Sequence, residues 1–166
     1  MKEVAILLLV ALLLNGCGAD PVVHQAAGSI WQAQLSGGVG PSSGLSFNTQ
    51  FELNGDGSLT FANFEFLNNG SCFPFSGETP TGSLTDLNVI QSTLAVTATF
   101  SLTVQSGGNT LMLSGPLTGT VSETGETGNN TVTFTTASIT GNWTLKGSGT
   151  GGCSDATGSF TMTLSS

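Results

Sequence analysis

From Ser29 to Leu164 apolar and polar residues alternate with a period of two, and no segment carries a convincing 3.6-residue repeat. Ile30-Trp31-Gln32-Ala33-Gln34-Leu35 reads as a first strand that ends at Gly37-Gly38. Leu45, Phe47, Phe51 and Leu53 alternate with Ser46, Asn48, Gln50 and Glu52, which predicts a half-buried strand with one wet face. Asn54-Gly55-Asp56-Gly57 supplies residues tolerant of positive φ, and Leu59, Phe61, Phe64 and Phe66 follow, so the two runs predict a hairpin.

Leu67 to Gly82 is irregular and holds Cys72, Pro74 and Pro80. A short strand is predicted from Leu84 to Val89. The longest alternation runs through Leu94, Val96, Ala98, Phe100, Leu102 and Val104. Ser106-Gly107-Gly108-Asn109 turns it into Leu111–Leu113, and Leu117–Val121 follows. Glu123 to Asn130 reads as a polar, acidic loop. Val132 and Phe134, then Ile139, Trp143 and Leu145, mark two more strands, and Phe160, Met162 and Leu164 the last. About eight to ten strands joined by Gly-rich turns predict an all-β antiparallel fold, a sandwich or a meander barrel. A faint echo runs through it: Cys72 precedes Thr81-Gly82-Ser83-Leu84-Thr85, and Cys153 precedes Thr157-Gly158-Ser159-Phe160-Thr161. A duplicated half-domain, or coincidence in a Gly/Ser/Thr-rich chain, explains it.

The first residues break this pattern. Val4 to Leu14 is almost purely aliphatic, preceded by Lys2, and is too short for the ~20 residues of a spanning helix. It ends in Leu14-Asn15-Gly16-Cys17, which resembles the lipobox of bacterial lipoproteins: leucine three positions before the cysteine and a small residue immediately before it. Asn15 departs from the family's usual Ala, Ser or Thr. The resemblance implies a diacylglyceryl group on the Cys17 sulfur, removal of a signal helix over residues 1–16 and acylation of the new terminus. It also implies a bacterial envelope address, and Gly18, where an aspartate would favour inner-membrane retention, points to the outer membrane. The alternative is an ordinary signal peptide cut near Ala19. Residues 17–28 then form a lipidated flexible tether, with Pro21 and no apolar periodicity, and 29–166 a single all-β domain.

Charged residues are only 7% of the chain against 38% hydrophobic, which excludes charge-driven disorder. After residue 16 the one cation is Lys146, against nine carboxylates (the chain's ten less Glu3). Without a basic patch nucleic acid is excluded as a partner, and membrane affinity must come from the covalent lipid. In the oxidising compartment that the lipobox implies, Cys72 and Cys153 remain as an even pair and are expected to form a disulfide, with two buried free thiols as the alternative.

Catalysis finds few candidates. The chain has no Tyr and one His, His24, which lies in the tether where nothing rigid orients it. Glu52 and Glu65 sit on the two arms of the predicted hairpin, as a glycosidase carboxylate pair would, but both fall on polar faces. Asn54-Gly55-Asp56-Gly57 is oxygen-rich, yet no closing glutamate follows at calcium-loop spacing, so a tight turn is expected. Glu123, Glu126, Asn129 and Asn130 suit a flexible acidic loop better than a cation site. The Asn-x-Thr triplets at Asn129 and Asn142 matter only in a eukaryotic secretory route. Gly141-Asn142-Trp143 resembles the Gly-x-Trp that opens lipocalin-like and avidin-like barrels, although it sits late in the chain; burial of Trp31 and Trp143 in the core is the simpler expectation. The reading is therefore of a lipid-anchored, non-catalytic envelope module, structural or protein-binding, without cofactor or metal. The alternative is a calycin-like barrel that binds a small apolar ligand, distinguished by an aromatic-lined void instead of a filled core.

Overall fold

A computed structural model describes residues 22–24, 29–73, 77–126, 129–148 and 153–165 of the chain. Nine strands form one sheet: β1 (Val22–His24), β2 (Ile30–Ser36), β3 (Ser46–Leu53), β4 (Leu59–Asn68), β5 (Thr79–Ile90), β6 (Ala95–Ser106), β7 (Asn109–Glu126), β8 (Asn129–Lys146) and β9 (Ala156–Ser165). Its order is β4-β3-β2-β9-β8-β7-β6-β5, with β1 lying parallel along β8. Apart from that contact every pairing is antiparallel, so the fold is all-β and antiparallel, as the alternation predicts.

The first and last long strands are neighbours: Ile30 of β2 pairs with Ser165 of β9, and Ser36 with Ser159. The sheet therefore curls through a circuit from β2 to β9 whose one seam lies between the edges β4 and β5. There the edges touch through a single bridge between Ser58 and Ser83 and the Leu84 N–H, which donates to the Gly57 carbonyl at 2.8 Å. The space at Gly57, whose φ is +83°, is tight, because a Cβ would come within 2.8 Å of the Leu84 carbonyl oxygen. Farther along the seam Pro80, which has no N–H to offer a neighbour, stands in β5, a place where edge strands tolerate proline.

Alternation then sorts side chains between inside and outside. In β6, Val96, Ala98, Phe100, Leu102 and Val104 are buried, while Thr97, Thr99 and Ser101 face water. The buried residues form one core in which phenyl and indole rings meet directly: Trp31 stacks on Phe51 at 5.2 Å, and Phe66 on Phe73 at 4.7 Å. The outer face carries rows of hydroxyls that bond across strands, such as Ser83 to Ser101 and Ser36 to Ser159, each at 2.9 Å.

Several boundaries differ from the sequence expectation. The segments 111–113 and 117–121 are one strand, β7, and 132–134 and 139–145 are one strand, β8; both run for 18 residues. The glycines that suggest breaks instead allow close approach, since a Cβ on Gly115 would lie 2.1 Å from the Thr140 carbonyl oxygen and one on Gly141 2.0 Å from that of Ser114. The acidic loop shrinks accordingly, because Glu123–Glu126 of β7 pair with Asn129–Val132 of β8. Leu94 falls in the β5–β6 turn with φ +55°, outside the strand it was expected to open. Val22–His24, inside the presumed tether, is strand β1; a run of three residues is too short to show periodicity.

Candidate functional site

Two ends of the curled sheet concentrate the chemistry-bearing residues. One end carries the β2–β3 loop, the β4–β5 loop with Cys72, the β6–β7 turn and the β8–β9 loop with Cys153. The other carries turns 54–57 and 91–94, the β7–β8 hairpin and β1.

At the first end Cys72 and Cys153, 81 residues apart in sequence, form the expected disulfide with their Cα atoms 5.4 Å apart. Both half-cystines are buried, so the bridge is shielded from soluble thiols. Asn109, also buried, links the same two loops a second time. Its Nδ2 donates to the Cys72 carbonyl, and its Oδ1 accepts from the Ser148 backbone N–H at 2.7 Å. Asn69 closes the cysteine loop on itself, donating through Nδ2 to the Phe73 carbonyl and accepting from Ser71 N–H at 3.1 Å. Asp155 accepts from Lys146 Nζ at 2.6 Å and from the Gly147 N–H at 3.1 Å. The lysine ammonium first, then the backbone donor, hold its carboxyl below the ordinary 3.8. This end is a rim bolted by the disulfide, by Asn109 and by the Asp155 contacts.

Trp143 lies just beneath that rim. Its Nε1 donates to the Ser36 carbonyl at 2.9 Å, and the indole sits where Gly158 leaves room, since a Cβ there would be 2.6 Å from Nε1. Trp31 is buried toward the opposite end, flanked by Phe51 and, edge-on at 5.9 Å, by Phe134. Its Nε1 has no hydrogen-bond partner among the described residues. Both tryptophans are core residues, as expected.

The carboxylate pair does not assemble. Glu52 pairs with Thr60 across the hairpin while Glu65 pairs with Asn48, and both are exposed. Thr60 and Glu65 are five positions apart on one strand, roughly 15 Å, beyond the ~5–9.5 Å of hydrolytic pairs. Asn54-Gly55-Asp56-Gly57 is a self-contained turn. Asp56 Oδ1 accepts from the Ser58 hydroxyl at 2.6 Å and the Ser58 N–H at 2.9 Å, which lower its pKa, and Asn54 Nδ2 donates to the Ser58 and Thr60 hydroxyls. Among the described residues no three of His, Cys, Asp and Glu gather as a metal site would require. Asn142 is an exposed mid-strand residue of β8, opposite Ser114 and Ser159. His24 belongs to β1, its backbone opposite Thr133. Cys17 lies outside the described residues.

Sequence reasoning missed Asn109, Asp155 and β1. Asn109 reads only as the end of a turn, because its partners lie 37 and 39 residues away. Compared with protein-family models, curated proteins and solved structures, the chain matches none.

Proposed function

We propose that this chain is a lipid-anchored lipoprotein of the bacterial cell envelope, held at the outer membrane, whose β domain is a non-catalytic structural or protein-binding module. The observation that carries the reading is Leu14-Asn15-Gly16-Cys17 at the end of a short aliphatic run. The buried Cys72–Cys153 bridge supports it, since such disulfides persist outside the reducing cytoplasm. So does the acidic, nearly cation-free composition, which leaves acyl chains as the means of holding a bilayer. The inert character of the domain rests on the separation of its few titratable groups.

The circuit of antiparallel strands also suits the second reading, a barrel for a small apolar ligand. The packing argues against it. A void wide enough for a ligand gives its lining side chains accessible surface, yet Trp31, Leu45, Phe47, Phe100, Leu117 and Met162 have none.

Replacing Cys17 by Ser is expected to move the protein from the detergent phase to the aqueous phase, with intact mass showing loss of the hydrocarbon increment. Unchanged partitioning of Cys17→Ser, or a wild-type product that starts elsewhere than residue 17, overturns the anchor.

A further inference from the structure

Strand β1 decides which way the domain hangs. Val22–His24 pairs in parallel with Thr131–Thr133, near the start of β8. Strand β8 runs from the β7–β8 hairpin at Asn129 toward Lys146 at the disulfide end. A parallel strand on that edge enters from the hairpin side, so the N-terminal end of β1, Val22, lies toward the end opposite the disulfide. The edge is free to take it because β9 pairs with β8 only between Ser138 and Leu145.

From this we propose, resting on the lipid-anchor reading, that β1 orients the domain on the bilayer. The end with the β7–β8 hairpin and the 91–94 turn faces the lipid, and the disulfide end points away from it. Magnitudes allow only this arrangement. Cys17 is five residues before Val22, a reach of at most about 18 Å. Thr131 to Lys146 is fifteen residues of strand, about 50 Å of path, or roughly 35 Å along the axis of a sheet tilted near 45°. The acylated sulfur cannot reach the disulfide end while β1 stays paired. Nor does the lipid-facing end plunge into the membrane. Asp56 on the 54–57 turn is exposed and kept ionised by Ser58, so the domain stands in water beside the headgroups. Exposed apolar side chains do not choose the lipid-facing end: Ile90 and Ile30 lie toward it, Val39, Leu67 and Met112 toward the other. Strand direction does.

The test uses the full lipidated chain in phosphatidylcholine vesicles with a headgroup quencher. A dye is placed on Ser92→Cys or Ser154→Cys, both exposed positions, with the native disulfide left oxidised. A separation near 35 Å predicts at least about twofold stronger quenching at position 92. Equal or reversed quenching in protein that floats with the vesicles overturns the orientation and leaves the anchor standing. Failure to float overturns the anchor and the orientation with it. Inserting about 15 flexible Gly/Ser residues between Asp20 and Pro21 is expected to abolish the difference, whereas the same insertion between Ala27 and Gly28 is expected to keep it. Loss of the difference in the second variant would show that β1 is not the clamp.

Discussion

Asp155 shows how one surface residue ties the β9 entry to the end of β8. Its pKa is lowered by Lys146 and the Gly147 N–H, so the folded state binds a proton less readily than the unfolded chain. The stabilisation is therefore present above the ordinary 3.8 and is lost as pH falls through the lower, folded value. Both partners are about two-thirds exposed, which keeps the effect small and salt-dependent. Asp155→Asn is expected to melt below the wild type at neutral pH and to converge with it in acid. Thermal melts across pH 2–7 check this; a constant offset at every pH would mean that the carboxylate's charge is irrelevant. At this scale the sequence was legible where chemistry is rare. Cys72 and Cys153 read as an even pair expected to bridge, and they are found bridged. Asn109 was not legible, because an asparagine after two glycines advertises a turn and its long-range bonds leave no local trace.

Strands were legible as existing and illegible in extent. Alternation marks Phe47 and Phe51, or Val96 through Val104, because each sits on a sheet with one wet face. It fails at Gly115, Gly119 and Gly141, where backbones approach too closely for any side chain and the pattern goes blank in the middle of a strand. Gly158 is the sharpest case. A Cβ there would stand 1.9 Å from the Ser36 carbonyl oxygen, the acceptor of the Trp143 indole, and 2.6 Å from the indole Nε1. Gly158→Ala must push β9 away from β2 or unseat Trp143, at a cost of about 3 kcal/mol. Denaturant titration should show a lowered midpoint with a red-shifted tryptophan emission. A midpoint within error of wild type would mean that the strands part without strain.

For the whole molecule, the two cysteine loops occupy corresponding places, since β5 and β9, each opened by Thr-Gly-Ser, lie four strands apart in the circuit. Joining them closes a chain loop of 81 residues, worth about 4 kcal/mol through the entropy of the unfolded state. Reduction under denaturing conditions, or Cys72→Ala with Cys153→Ala, is expected to lower the melting temperature by well over 10 °C in a domain of this size. A loss of only a degree or two would leave Asn109 and the packed rim as the true fasteners. The all-β antiparallel class was legible from alternation and turn spacing, but neither the choice between sandwich and barrel nor the seam between β4 and β5 was, because closure depends on how far the sheet curls.

The pairing of Ile30 with Ser165 and of Leu35 with Phe160 also bears on when the protein can fold. The earliest-made long strand waits for one made late, so a ribosome-bound chain that has grown only as far as β8 has no β9 to bridge β2 and β8. Contacts this distant in sequence close slowly. The sheet therefore stays open, and the chain threadable, while β9 is still unmade.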